Sequence, residues 1–197
     1  MPDVQVEELG PALEVGQRQA VATAERLLSL IGHRDIELFS SDLQRAAQTA
    51  EILSQALGPS ITTTSALCEW DVGILEGTTD EAGWDMHRQV QEDWFVYQQF
   101  DNRIPEGESF TDIRARFVPF IEQLVQANQD INVAIVLVGH GGLYHAMLPL
   151  IFNNIDYDFI TQHPFANTAY AIAETRPDGL FCLEWCEIAL AVPPLGD

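Results

Sequence analysis

Apolar residues recur at helical spacing from Leu13 to Ile31, with Ala20, Ala24, Leu27 and Ile31 on one stripe and Gly32 just past its end. A short strand is expected at Ile36–Phe39. A second helix should open at Ser41, where serine followed three residues on by Gln44 has the form of a capping box. Its stripe of Leu43, Ala46, Ala50, Leu53 and Leu57 steps by threes and fours until Gly58. Ile61–Thr64 is β-branched and reads as a strand, 68–80 as a glycine-containing loop, and 81–100 as a tryptophan-rich helical segment. After the polar stretch DNRIPEGES, a helix capped by Ser109 with Asp112 at its third position presents Phe110, Ile113, Phe117 and Phe120 or Ile121, with a bend expected at Pro119. The unbroken apolar run Val133–Val138 is a buried strand, followed by a helix from about Gly142. The chain ends in an expected hairpin, Ala169–Thr175 and Leu180–Ile188 around the turn RPDG.

Strands alternating with helices imply an α/β fold: a mainly parallel sheet with helices on both faces, three layers in all. The 197 residues, 47% hydrophobic, suit a single domain. Ligands of such sheets gather beyond the carboxyl ends of the strands. Two groups stand at such ends: His140, which leaves the run VAIVLVGHGG, and Arg45, in the first turns of the helix after the Ile36–Phe39 strand. Taken alone, His140 would be read as a core histidine satisfied by a backbone carbonyl.

Charge narrows the chemistry. Thirty acidic residues stand against nine basic ones, all arginine, for a net charge of −21. Without lysine, a Walker phosphate loop and Schiff-base catalysis are both excluded. No basic stripe exists to meet nucleic acid, and no run is long and apolar enough for a membrane span. The cysteines (Cys68, Cys182, Cys186) lack metal-type spacing and read as free thiols of a reducing, cytoplasmic setting. Neither cofactor nor metal is called for.

Three segments fit phosphoryl chemistry. SSDLQRAAQTAE supplies an arginine near a helix start, LCEWDVGILEG supplies Glu69, and VGHGG supplies His140 between glycines that admit a ligand close to the backbone, Gly141 among them. With LEVGQRQA, PEGES and the final hairpin in the same order, the chain resembles the histidine phosphatases, the phosphoglycerate mutase-like superfamily, from about Leu13 onward. The resemblance implies that fold. It also implies that Arg45 clamps a phosphoryl group, that His140 donates hydrogen bonds to it, and that Glu69 is the general acid. The implied substrate is a small phosphomonoester, cleaved through a phosphohistidine. Arg88, beside His87, is a further candidate to touch substrate.

One departure stands out. The family opens with a strand ending in Arg-His-Gly, which carries the nucleophilic histidine and a second clamping arginine, and this sequence contains no Arg-His-Gly. Residues 1–12 fit only the loop after that motif, so the domain is expected to lack its first strand and residues 1–197 to be inactive. A catalytically inactive relative that binds a phosphorylated ligand or a protein partner is the alternative. A mutase fits less well, since Arg88 and Arg103 are the few cations left to hold a second charged group. A homodimer is left open. An α/β-hydrolase is excluded because His140 stands where the nucleophilic serine of that elbow belongs.

Overall fold

The computed structural model describes residues 6–128 and 132–192. In chain order the elements are α1 (Val6–Ile31), β1 (Asp35–Ser40), α2 (Gln44–Leu57), β2 (Ile61–Thr63), α3 (Glu81–Phe95), α4 (Phe110–Ala127), β3 (Val133–Val138), α5 (Gly141–Ile151), α6 (Tyr157–Gln162), β4 (Ala171–Arg176), β5 (Gly179–Trp185) and β6 (Ile188–Ala189). Short 3₁₀ turns at Ser65–Leu67 and Gly73–Leu75 punctuate the loop between β2 and α3.

The parallel sheet has the order β2-β1-β3, with Leu38 opposite both Ile61 and Val136. Alternation along the strands divides the core, because successive side chains point to opposite faces. Leu38, Val136 and Val138 pack with Ala24 of α1 and with Ala46, Ala50 and Leu53 of α2. Phe39 and Leu137 turn the other way, toward Phe117 and Ile121 of α4 and Leu143 and Met147 of α5. Helices therefore cover both faces, as the alternating pattern implies.

Two expectations are corrected. Helix α1 begins at Val6 rather than Leu13, so 6–12 are not a loop; residues 1–5 of that expected loop lie outside the described residues. The final hairpin is present as β4 and β5, which with β6 form an antiparallel sheet of their own, order β4-β5-β6. The stretch read as one strand to Ile188 turns at Cys186 and Glu187, both at positive φ (48° and 68°), making a second tight hairpin. Among the described strands β3 pairs with β1 alone. The α4 capping box at Ser109 and Asp112 is present, and the helix runs on through Pro119.

Candidate active site

Strands β1 and β3 end level, Ser40 opposite Val138, and the Ser41 amide donates to the Val138 carbonyl at 3.1 Å. The chain therefore leaves the sheet at two adjacent points, one carrying Ser41 and the other His140. Both side chains are buried, with His140 6% exposed and Ser41 0%. The Ser41 Oγ and His140 Nε2 lie 2.7 Å apart, and Ser41 Oγ also accepts the Leu43 amide at 3.1 Å. The capping box expected at Ser41 and Gln44 does not form. Helix α2 begins at Gln44 with no side-chain cap, because the serine oxygen is engaged by Leu43 and His140.

The glycines around His140 mostly serve the protein itself. A Cβ at Gly139 would lie 2.7 Å from the Tyr144 hydroxyl, which donates to the Leu137 carbonyl at 3.0 Å. A Cβ at Gly142 would fall 2.8 Å from Glu69 Oε1 and 2.9 Å from Trp70 Nε1. Gly141 alone of the three faces open space, so the room for a ligand expected along VGHGG is at that residue.

Glu69 reaches the N-terminus of α5. Its Oε2 accepts the Gly142 amide and its Oε1 the Trp70 amide, both at 3.1 Å. Burial raises its pKa, opposed by the amides of Trp70, Gly142 and Leu143 and by the Arg45 guanidinium. A raised pKa suits a general acid, and burial rather than a bound anion already supplies it. His140 is driven the other way, to about 4, first by burial, then by Arg45 and Arg116, with Asp42 opposing. Its ring is neutral near pH 7.

Arg45 is exposed in the first turn of α2 and influences both His140 and Glu69. Its guanidinium makes no ion pair or hydrogen bond with any described residue, although the chain carries thirty acids. An arginine left unpaired beside a buried histidine is a cation available to an anionic ligand.

Arg116 escaped the sequence reading. From α4 it grips Glu108 at 2.9 and 3.0 Å and donates to the carbonyls of Ser65 (3.1 Å), Ala66 (3.0 Å) and Glu69 (3.4 Å). Glu108 in turn accepts the Asp71 amide at 3.0 Å, which ties the PEGES segment to the loop that carries Glu69. Ser41 was also missed as a member of the site. Arg88 lies on the exposed side of α3, paired with Asp85, and makes no described contact with Arg45, Glu69 or His140. Its neighbour His87 packs on Trp70, ring centroids 4.8 Å apart.

No group of described residues is arranged to hold a metal ion, and no described helix is long and apolar enough to cross a membrane. Cys68, Cys182 and Cys186 are free thiols.

Comparison with known proteins identifies the family and the fold. The family model of the histidine phosphatase superfamily (branch 1) matches residues 11–188. A probable phosphoglycerate mutase of Salmonella arizonae is 36% identical over 145 residues, which is 70% of this chain and 61% of the relative. The chain thus spans about three-fifths of the length of the curated relatives it matches. Among solved structures, a mycobacterial glucosyl-3-phosphoglycerate phosphatase in complex with VO3 superposes with a TM-score of 0.66 at 26% identity, covering 84% of this chain and 81% of the other. The alpha-ribazole phosphatase of Shigella flexneri shares the fold, with a TM-score of 0.66 at 17% identity, over 90% of this chain and 84% of that one. With the family model spanning nearly the whole chain, this chain belongs to the histidine phosphatase superfamily.

Proposed function

We propose that residues 1–197 form the phosphoryl-binding part of a phosphatase that acts on small phosphomonoesters. Arg45 clamps the phosphoryl group, His140 donates to one of its oxygens, and Glu69, its pKa raised by burial, protonates the leaving oxygen as the phosphorus–oxygen bond breaks. The observation that carries this reading is the unpaired Arg45 guanidinium acting on both a neutral buried histidine and a protonatable carboxyl.

The nucleophile is the part that residues 1–197 do not supply. His33 is exposed in the turn between α1 and β1. His87 lies against Trp70 and His145 against Phe95. His163 stacks on Phe159 and its Nδ1 lies 2.9 Å from the Phe159 carbonyl. His140 shares its Nε2 with Ser41. None of the five stands in the Arg-His-Gly motif that carries the family's nucleophile. A mutase is disfavoured because the arginines that could hold a second charged group are engaged, Arg88 with Asp85 and Arg103 with Asp112 at 2.8 Å.

Two assays on purified residues 1–197 test this reading. Vanadate should bind, while p-nitrophenyl phosphate turnover stays at background, because losing the covalent step costs many orders of magnitude. Joining an upstream strand that ends in Arg-His-Gly should restore turnover together with a trappable phosphohistidine. Turnover through a phosphohistidine in residues 1–197 themselves would overturn the assignment of His140 as a donor.

A further inference from the structure

The contact between Ser41 and His140 determines where the imidazole carries its proton. Ser41 is fully buried, and its hydroxyl has one proton to give. The oxygen already accepts the Leu43 amide. The strongest acceptor for that proton is His140 Nε2, 2.7 Å away, while the Cys68 sulfur, a weak acceptor, also lies within reach. Were Nε2 protonated instead, it would donate to the serine, and the buried hydroxyl proton would be left with only the weakly accepting Cys68 sulfur. A neutral ring with a bare Nε2 carries its proton on Nδ1. His140 Nδ1 has no hydrogen-bond partner among the described residues, although the ring is 6% exposed.

We infer that Ser41 is the positioning residue of the site: its hydroxyl holds His140 as the Nδ1–H tautomer, so that Nδ1–H is the donor offered to an anionic oxygen of the ligand. The ligand half of this inference rests on the phosphoryl-binding reading above; the tautomer half does not. A neutral ring held this way donates at once, without first taking a proton from solvent. The charged and titratable groups around the ring fit that role. Burial first, then Arg45 and Arg116, keeps it from charging, Asp42 only partly offsets them, and Glu69 stands across the site on the α5 terminus. Cys68, whose thiol donates to Asp42 at 3.0 Å, borders the same serine with its own pKa raised by burial.

The experiment is a long-range 1H–15N spectrum of the full chain labelled at histidine, recorded near neutral pH, which separates protonated from bare ring nitrogens. His140 should show a protonated Nδ1 and a bare, hydrogen-bonded Nε2. In Ser41→Ala the ring should become a mixture of tautomers and vanadate affinity should fall about tenfold, the scale of one hydrogen bond. Ser41→Thr, which keeps the hydroxyl, should keep the tautomer and most of the affinity. A protonated Nε2 in the parent chain, or an unchanged tautomer in Ser41→Ala, would overturn the inference. If Ser41→Ala fails to fold, the parent spectrum and Ser41→Thr decide it. If the tautomer is as stated but vanadate does not bind, the phosphoryl-binding reading fails and the positioning role of Ser41 stands.

Discussion

Glu69 closes the N-terminus of helix α5 through the Gly142 amide, so the candidate acid and the helix that follows His140 are held by one hydrogen bond of 3.1 Å. The arrangement requires glycine at 142, since a Cβ there would meet both carboxylate oxygens within 3.0 Å. Gly142→Ala should push Glu69 off the helix end and destabilise the fold by about 1–3 kcal/mol, the usual cost of forcing an added methyl into a packed site. Gly141→Ala, whose Cβ would meet nothing within 4 Å, should be near neutral. Urea midpoints of the two variants make the comparison; equal midpoints would mean that Glu69 is not packed against this glycine.

Arg45 should be irreplaceable by lysine. A planar guanidinium grips two oxygens at once, whereas an ammonium acts as a point charge. Arg45→Ala should weaken vanadate about 10- to 100-fold, in the range of lost charge-assisted hydrogen bonds, and Arg45→Lys should recover only part of that. Calorimetric titration measures both. Unchanged affinity in Arg45→Ala would remove this residue from the site.

The pH dependence of stability should carry the signature of a histidine buried neutral. Burial, Arg45 and Arg116 bring the folded pKa of His140 from 6.5 to about 4, so between these values the unfolded chain binds more protons than the folded one. The stabilisation is complete above pH 6.5 and is lost as the pH falls toward 4. His87 and His145, also lowered by burial, add in the same sense. Glu69 acts oppositely: its raised pKa favours the folded state below its ordinary value of 4.5 and loses that contribution as the pH rises through the shifted one. Urea unfolding of the parent chain and of His140→Gln, between pH of about 7.5 and about 5, should show a shallower loss in the variant. Identical slopes would mean that His140 is not held neutral.

The sequence was most legible where local pattern and tertiary demand coincide. The apolar run Val133–Val138 is the β3 strand residue for residue, and the Ser109–Asp112 box caps α4 as its spacing implies. The same pattern at Ser41–Gln44 misleads, because the oxygen that would cap α2 is engaged by a histidine 99 residues away. Arg116 was illegible for a related reason. It acts on the carbonyls of Ser65, Ala66 and Glu69, which only the folded loop gathers within its reach. The bend at Cys186–Glu187 carries neither glycine nor asparagine to announce it. Arg45, Glu69 and His140 could be named from motif order, but their mutual electrostatics required the folded chain.

Trp185 joins the small sheet to the main core. It is fully buried, stacks on Phe165 with ring centroids 4.1 Å apart, and donates from Nε1 to the His163 carbonyl at 2.8 Å. Trp185→Ala should cost about 3–5 kcal/mol, the range for truncating a large buried aromatic. Trp185→Phe should cost less, retaining most of the packing but leaving the His163 carbonyl without its donor. Thermal or urea unfolding gives both values, and a loss below about 1 kcal/mol for the alanine variant would contradict the packing described.

The central claim is that an anionic phosphoryl group binds where Arg45, Glu69 and His140 converge. Titrating histidine-labelled residues 1–197 with inorganic phosphate or vanadate, while following all five histidine rings by NMR, tests it most directly. The His140 ring resonances should move saturably with ligand, those of His33 and His163 should stay in place, and Arg45→Ala should abolish or greatly weaken the response. A saturable shift centred on another histidine, or none at His140 at concentrations that saturate phosphate sites in related enzymes, would contradict the account.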